Sequence, residues 1–262
     1  GAGQGVACGP GGQRQPVMRA RLWGWWLLAL PLLPVLLPMA LYTRRTALRL
    51  PEAEGPQHGL SGAVLAGTPL RLLLLGESTV AGVGVDSQAQ ALAGQLALAL
   101  VEQQQCAVAW QACGENGITV AQAQQRLLPQ GLAAPVDLVV LVFGVNDTTH
   151  LSSLRAWRQA LVQMTRALQA HGAQVAFTSV PPLQHFAALP WLLRQVLGLR
   201  GALLDRHLRC LAEQLGAQHC AVELEFAHEY LAIDGYHPSA LGYQVWAKGL
   251  AAQLKPLLRS QA

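Results

Sequence analysis

The chain has 262 residues, 52% hydrophobic and 12% charged, with a formal net charge of +4. That is ample apolar material for one sizeable core, and it excludes a highly charged, solvated chain. The positive balance does not indicate a nucleic-acid partner, because the arginines are scattered and no basic run is interleaved with aromatics.

Residues 1–21 are rich in glycine and basic residues and are expected to be a disordered N-terminal segment. Residues 22–42 carry no charge, and Trp23, Trp25, Trp26 and Tyr42 stand where interfacial aromatics belong. The stretch reads as a membrane anchor, or as a signal segment whose cleavage would give a secreted protein. Pro31, Pro34 and Pro38 disfavour a straight helix, although membrane helices tolerate proline better than soluble ones. Residues 43–68 contain two prolines and four glycines without apolar periodicity, which predicts a linker. A single folded domain is then expected over 69–262.

That domain opens with Leu70-Arg71-Leu72-Leu73-Leu74-Leu75, an apolar run of the kind a strand buried on both faces shows. It ends at Gly76-Glu77-Ser78. In an open α/β sheet, ligands bind at the carboxyl ends of strands, so Ser78 is a candidate nucleophile. A helix is predicted over 87–104 with Ser87 as its cap, then a strand over 107–112 leading into Gly114-Glu115-Asn116-Gly117, and a short helix over 119–128 stopped by Pro129. Asp137 to Phe143 is a second strand buried on both faces and runs into Gly144-Val145-Asn146-Asp147. A helix over 151–170, a strand over 174–180, a helix over 203–215, a strand over 218–224 and a helix over 239–258 complete the pattern. Strands alternating with helices predict a parallel sheet with helices on both faces. Residues 181–200 break the alternation at the active-site edge; they are read as an acyl-pocket wall, a surface resting on a membrane, or a segment packed onto the sheet.

Gly76-Glu77-Ser78, the glycine of Asn116-Gly117-Ile118-Thr119, Gly144-Val145-Asn146-Asp147 and Asp234-Gly235-Tyr236-His237 resemble, in order, the four blocks of the SGNH (GDSL-type) hydrolases. The resemblance runs from about Leu70 to Leu258. It implies a flavodoxin-like three-layer α/β/α sandwich around a parallel five-stranded sheet in the order 2-1-3-4-5. Glu77 departs from the family's usual aspartate, and the second block offers both Gly117 and Gly114; Gly117 is favoured because Gly117-Ile118-Thr119 matches the family's Gly-x-Thr.

A serine, an asparagine and an Asp-x-x-His pair supply a nucleophile, an oxyanion donor, a base and a group that orients the base. The expected catalytic residues are Ser78, His237 and Asp234, with an oxyanion hole from Ser78, Gly117 and Asn146. The expected chemistry is hydrolysis of short-chain carboxylic esters or thioesters by a serine esterase without cofactor or metal. The five cysteines show no metal spacing and read as buried free thiols, and the other histidines show no ligand pattern. Partners are a small ester substrate and a membrane reached through 22–42, with the catalytic domain outside the cytoplasm. Two other readings use the same residues: a membrane-tethered acyltransferase or deacetylase acting on carbohydrate or lipid, and a binding module that has lost the chemistry.

Overall fold

The computed structural model describes residues 14–224 and 226–259. Its elements are α1 (Arg14–Thr46), β1 (His58–Ser61), β2 (Leu70–Gly76), α2 (Leu92–Gln104), β3 (Val108–Gly114), α3 (Val120–Arg126), α4 (Leu128–Gly131), β4 (Leu138–Val142), α5 (Val145–Thr149), α6 (Leu154–Ala170), β5 (Gln174–Thr178), α7 (Trp191–Leu215), β6 (Gln218–Cys220) and α8 (Ala240–Arg259). They build one six-stranded sheet in the order β1-β3-β2-β4-β5-β6. β2 to β6 are parallel and follow the expected 2-1-3-4-5 order, and the sixth strand is β1, antiparallel on the edge of β3.

Side chains alternate across the central strands. Leu73, Leu75, Val139 and Leu141 face a core shared with α3, α6 and α7; Leu72, Leu74, Leu138 and Val140 face one shared with α2 and α8. At the amino end of the sheet, Asp137 accepts from the Arg71 backbone N–H at 2.8 Å and from its guanidinium at 3.0 and 2.5 Å. This clamp fixes β2 against β4 with Gly76 opposite Val142, so both strands end at one level. Their connections leave in opposite directions from this pair, and the crevice between their carboxyl ends is where an open sheet binds ligands.

Several expectations change. The supposed linker holds β1, whose Leu60 pairs with Ala109; its own sequence is too short and polar to announce a strand, and the open edge of β3 recruits it. α2 begins at Leu92, not near Ser87, and its N-cap is Ala91 without a side-chain bond. Pro129 opens α4 in place of ending a longer helix, since proline suits a first turn. The second half of residues 181–200 is the start of α7, which begins at Trp191 directly after Pro190. Cys106, Cys113 and Cys220 are free thiols, whereas Cys210 is disulfide-bonded; Cys8 lies outside the described residues.

The part of the basic segment within the described residues is helical, because α1 starts at Arg14 and runs unbroken through Pro31, Pro34 and Pro38; residues 1–13 lie outside the described residues. Val17–Thr46 is long and apolar enough to cross a membrane by length and composition. One face of α1 rests on α7: Trp25, Ala29 and Leu36 join the core there, and Trp25 Nε1 donates to the Val196 carbonyl at 2.8 Å. The opposite face, through Trp23, Leu27, Leu30, Leu37 and Leu41, is exposed.

Candidate active site

β2 delivers Glu77 and Ser78 into a tight turn, closed by Val80 and Ala81 N–H groups donating to the Glu77 carbonyl. Ser78 is 9% exposed, and its Oγ lies 2.9 Å from His237 Nε2. His237 Nδ1 lies 2.6 Å from Asp234 Oδ2. The other oxygen, Asp234 Oδ1, accepts from the backbone N–H groups of Tyr236 and His237 at 2.9 and 3.0 Å, so the carboxylate is fixed by its own loop. Burial opposes its charge, but the bonds from His237 and from the two backbone groups prevail and hold it below the usual range. An ionised Asp234 accepts the Nδ1 proton, which leaves Nε2 as the acceptor for the serine hydroxyl.

Asn146 opens α5 just beyond β4. Its Nδ2 donates to the Ile118 carbonyl at 3.0 Å, which ties it to the Gly117-Ile118 turn and leaves its second amide hydrogen free. The backbone N–H groups of Ser78 and Gly117 have no acceptor among the described residues. Gly117 has a φ of +83° and open space where a Cβ would stand. At Gly114 a Cβ would meet the Ala81 nitrogen at 2.3 Å, so that glycine serves close packing against the turn that carries Ser78. Ser78, Gly117 and Asn146 thus each keep an N–H without an acceptor among the described residues, and Gly117 is the exposed glycine of its turn.

Sequence reasoning missed what Glu77 does. Its Oε1 accepts from Gly144 N–H at 2.5 Å and its Oε2 from Asn146 N–H at 3.1 Å, so the residue before the serine holds the loop that carries the asparagine. Gly144 has a φ of +137°, and Val180 fills the space a Cβ would need. Burial pushes Glu77 up to about 8; the Asp147 charge adds to this, and the Gly144, Asn146 and Val145 N–H groups pull the other way. An acidic side chain next to Ser78 is the only sequence signal.

A cavity of about 70 Å³ opens beside Ser78 and His237, walled by Phe143, Phe186, Phe226, Tyr236 and Trp246. Tyr236 stacks edge-on against both His237 and Phe186, with ring centroids 5.1 and 4.9 Å apart. Residues 181–200 therefore contribute Pro181 and Phe186 to the wall. Trp191 does not take part and is 66% exposed at the start of α7. Among the described residues no three His, Cys, Asp or Glu side chains meet as a metal would require.

A sequence model described as "GDSL-like Lipase/Acylhydrolase family" matches residues 74–245. No curated protein matches the chain significantly. Among solved structures, TesA shares 22% identity over 71% of this chain and 99% of its own, with a TM-score of 0.58. A lipase/acylhydrolase from Enterococcus faecalis shares 19% over 72% and 96%, with a TM-score of 0.55. The psychrotrophic esterase EstA from Pseudoalteromonas sp., solved with monoethylphosphonate as inhibitor, shares 17% over 72% and 98%, also at 0.55.

Proposed function

The chain belongs to the GDSL-like lipase/acylhydrolase family and is an ester-hydrolysing enzyme, and from that premise we propose that it is a serine esterase for short-chain carboxylic esters or thioesters. Ser78 is the nucleophile, His237 the general base and Asp234 the group that orients it. The observation that carries this reading is the continuous relay from Ser78 Oγ through the His237 ring to Asp234, at 2.9 and 2.6 Å. His237 Nε2 takes the Ser78 proton as Oγ attacks the acyl carbonyl, and returns it to the leaving alcohol or thiol. The carbonyl oxygen gains charge in the tetrahedral state and is met by the N–H groups of Ser78 and Gly117 and the Asn146 amide, all fixed before substrate arrives. Water then attacks the acyl-enzyme with His237 again as base. The relay argues against a binding module, which would have no use for an aligned base.

The aromatic cavity favours small acyl groups. Each added methylene that finds room contributes about 0.8 kcal/mol, so kcat/KM should climb several-fold per carbon until the cavity fills. A p-nitrophenyl ester panel should peak between acetyl and about hexanoyl, in keeping with the small cavity. A maximum at decanoyl or longer would overturn the short-chain reading. Product analysis with an added acceptor alcohol separates hydrolysis from acyl transfer.

We also propose that α1 holds the enzyme at a membrane, with the catalytic domain outside the cytoplasm. The support is the long apolar stretch of α1 and its exposed outer face. Protease added to intact cells should cleave the catalytic domain; protection until lysis would reject the location.

A further inference from the structure

α6 carries an unusual charge pattern on the side away from the active site. Arg155, Arg158 and Arg166 line an open groove of about 560 Å³ together with Arg19 of α1 and His207 of α7. None of the four arginines has a carboxylate partner among the described residues. Arg155 and Arg158 stand near the start of α6, where no acidic residue balances them and where the helix dipole disfavours a cation. Arg158 Nη1 donates to Gln214 Oε1 at 3.5 Å, which leaves its charge unbalanced, so the groove gathers positive charge that an anion would offset.

His207 points to the same ligand. It is 8% exposed, it lines the groove, and its Nε2 is buried without a hydrogen-bond partner among the described residues. A buried imidazole nitrogen left unpaired is costly unless a ligand completes it. The occupant is indicated by α1, which contributes Arg19 to the lining. Arg19 heads the exposed stripe that continues one turn later at Trp23 and on through Leu27, Leu30, Leu37 and Leu41. An anion in this groove therefore sits at the end of an apolar strip, the arrangement of a phospholipid, with one charged phosphate and long hydrocarbon chains.

We propose that the groove between α1 and α6 binds the phosphate of an anionic phospholipid, with the outer face of α1 lying along the membrane surface. Arg19, Arg158 and His207 line the groove that would hold the phosphate, and Arg155 and Arg166, roughly 16 Å apart along α6, add positive charge towards its two ends. Burial, and then the charge on Arg158, push His207 down to about 4, so a bound phosphate that offsets Arg158 favours its protonated, donating form. In this arrangement α1 lies on the bilayer and does not cross it, since its inner face stays on α7.

The proposal rests on the reading of α1 as a membrane-contacting helix, and one experiment separates the two. Purified full-length protein is sedimented with vesicles of phosphatidylcholine alone and with vesicles that also contain phosphatidylglycerol. Binding to both is expected through α1, with clearly tighter binding to the second. Arg155→Gln with Arg166→Gln, both exposed, should weaken binding to the second vesicles by about 25-fold, roughly fivefold per arginine. Lys248→Gln with Lys255→Gln removes the same charge from α8 and should keep the preference. Inorganic phosphate should raise the melting temperature of the parent and leave that of the arginine variant unmoved. Equal loss in both double variants would reduce the effect to general surface charge and overturn the site. Stabilisation by phosphate without any vesicle preference would assign the groove to a soluble phosphate ester and overturn the lipid. Failure to bind either vesicle would overturn the membrane reading of α1 along with it.

Discussion

At the scale of single residues, Glu77 links the Ser78 turn to the loop that carries Asn146, and its ionisation gives a signature. In the fold it keeps its proton up to about 8, against an ordinary value of 4.5. The native state therefore binds more protons than the unfolded chain between these values. Glu77's contribution to stability is full below about 4.5 and is lost as pH rises through about 8. Glu77→Gln stays neutral, so the melting temperature of the variant relative to the parent should rise across that window, and parallel curves would contradict the assignment. The amide has only one acceptor oxygen for the two N–H donors, so kcat should also fall while KM changes little. If Asn146 is the oxyanion donor proposed above, Asn146→Ala should lower kcat by about 10²–10³-fold, with a smaller effect on KM. A rise in KM alone would mean that Asn146 binds the ground state. The serine, asparagine and histidine were legible in the sequence because each lies in a short local block. The role of Glu77 was not, because its partners Gly144 and Asn146 lie 67 and 69 positions away.

Among the elements, the buried strands were legible because a strand covered on both faces must be apolar throughout, as β2 and β4 are. β1 and the first turns of α7 were not: the first is set by the free edge of β3, and the second starts at a proline that reads locally as a break. The junction of α1 with α7 was equally hidden, and Arg200 is its centre. This side chain is 2% exposed, donates to the Ser152 carbonyl at 2.6 Å, and has two nitrogens without hydrogen-bond partners among the described residues. The Trp25 ring compensates, with its centroid 4.9 Å from the guanidinium carbon. Arg200→Met should cost about 1–3 kcal/mol by leaving the carbonyl unpaired. Combining Arg200→Met with Trp25→Leu in a double-mutant cycle should reveal a coupling of about 0.5–2 kcal/mol. Additive losses would show that the two side chains are neighbours without interaction.

For the whole molecule, α1 belongs to the packing of the domain. Removing residues 1–42 uncovers the face of α7 against which Trp25 and Leu36 pack, each a loss of roughly 1.5–3 kcal/mol of apolar burial. The truncated chain should melt lower than the full chain in detergent while keeping the Ser78–His237–Asp234 relay and hence turnover of short esters. An unchanged melting temperature would mean that α1 is not docked in solution. The sheet order followed from resemblance to a known fold and not from the alternation of strands and helices, which leaves strand order open. All of this serves one claim, that Ser78 is a nucleophile activated through His237. The measurement that tests it most directly is the intact mass of the protein after treatment with an ethylphosphonate ester. One covalent adduct per chain is expected, mapped to Ser78, absent from Ser78→Ala and strongly slowed in His237→Ala. An adduct on another residue, or equal labelling of Ser78→Ala, would contradict it.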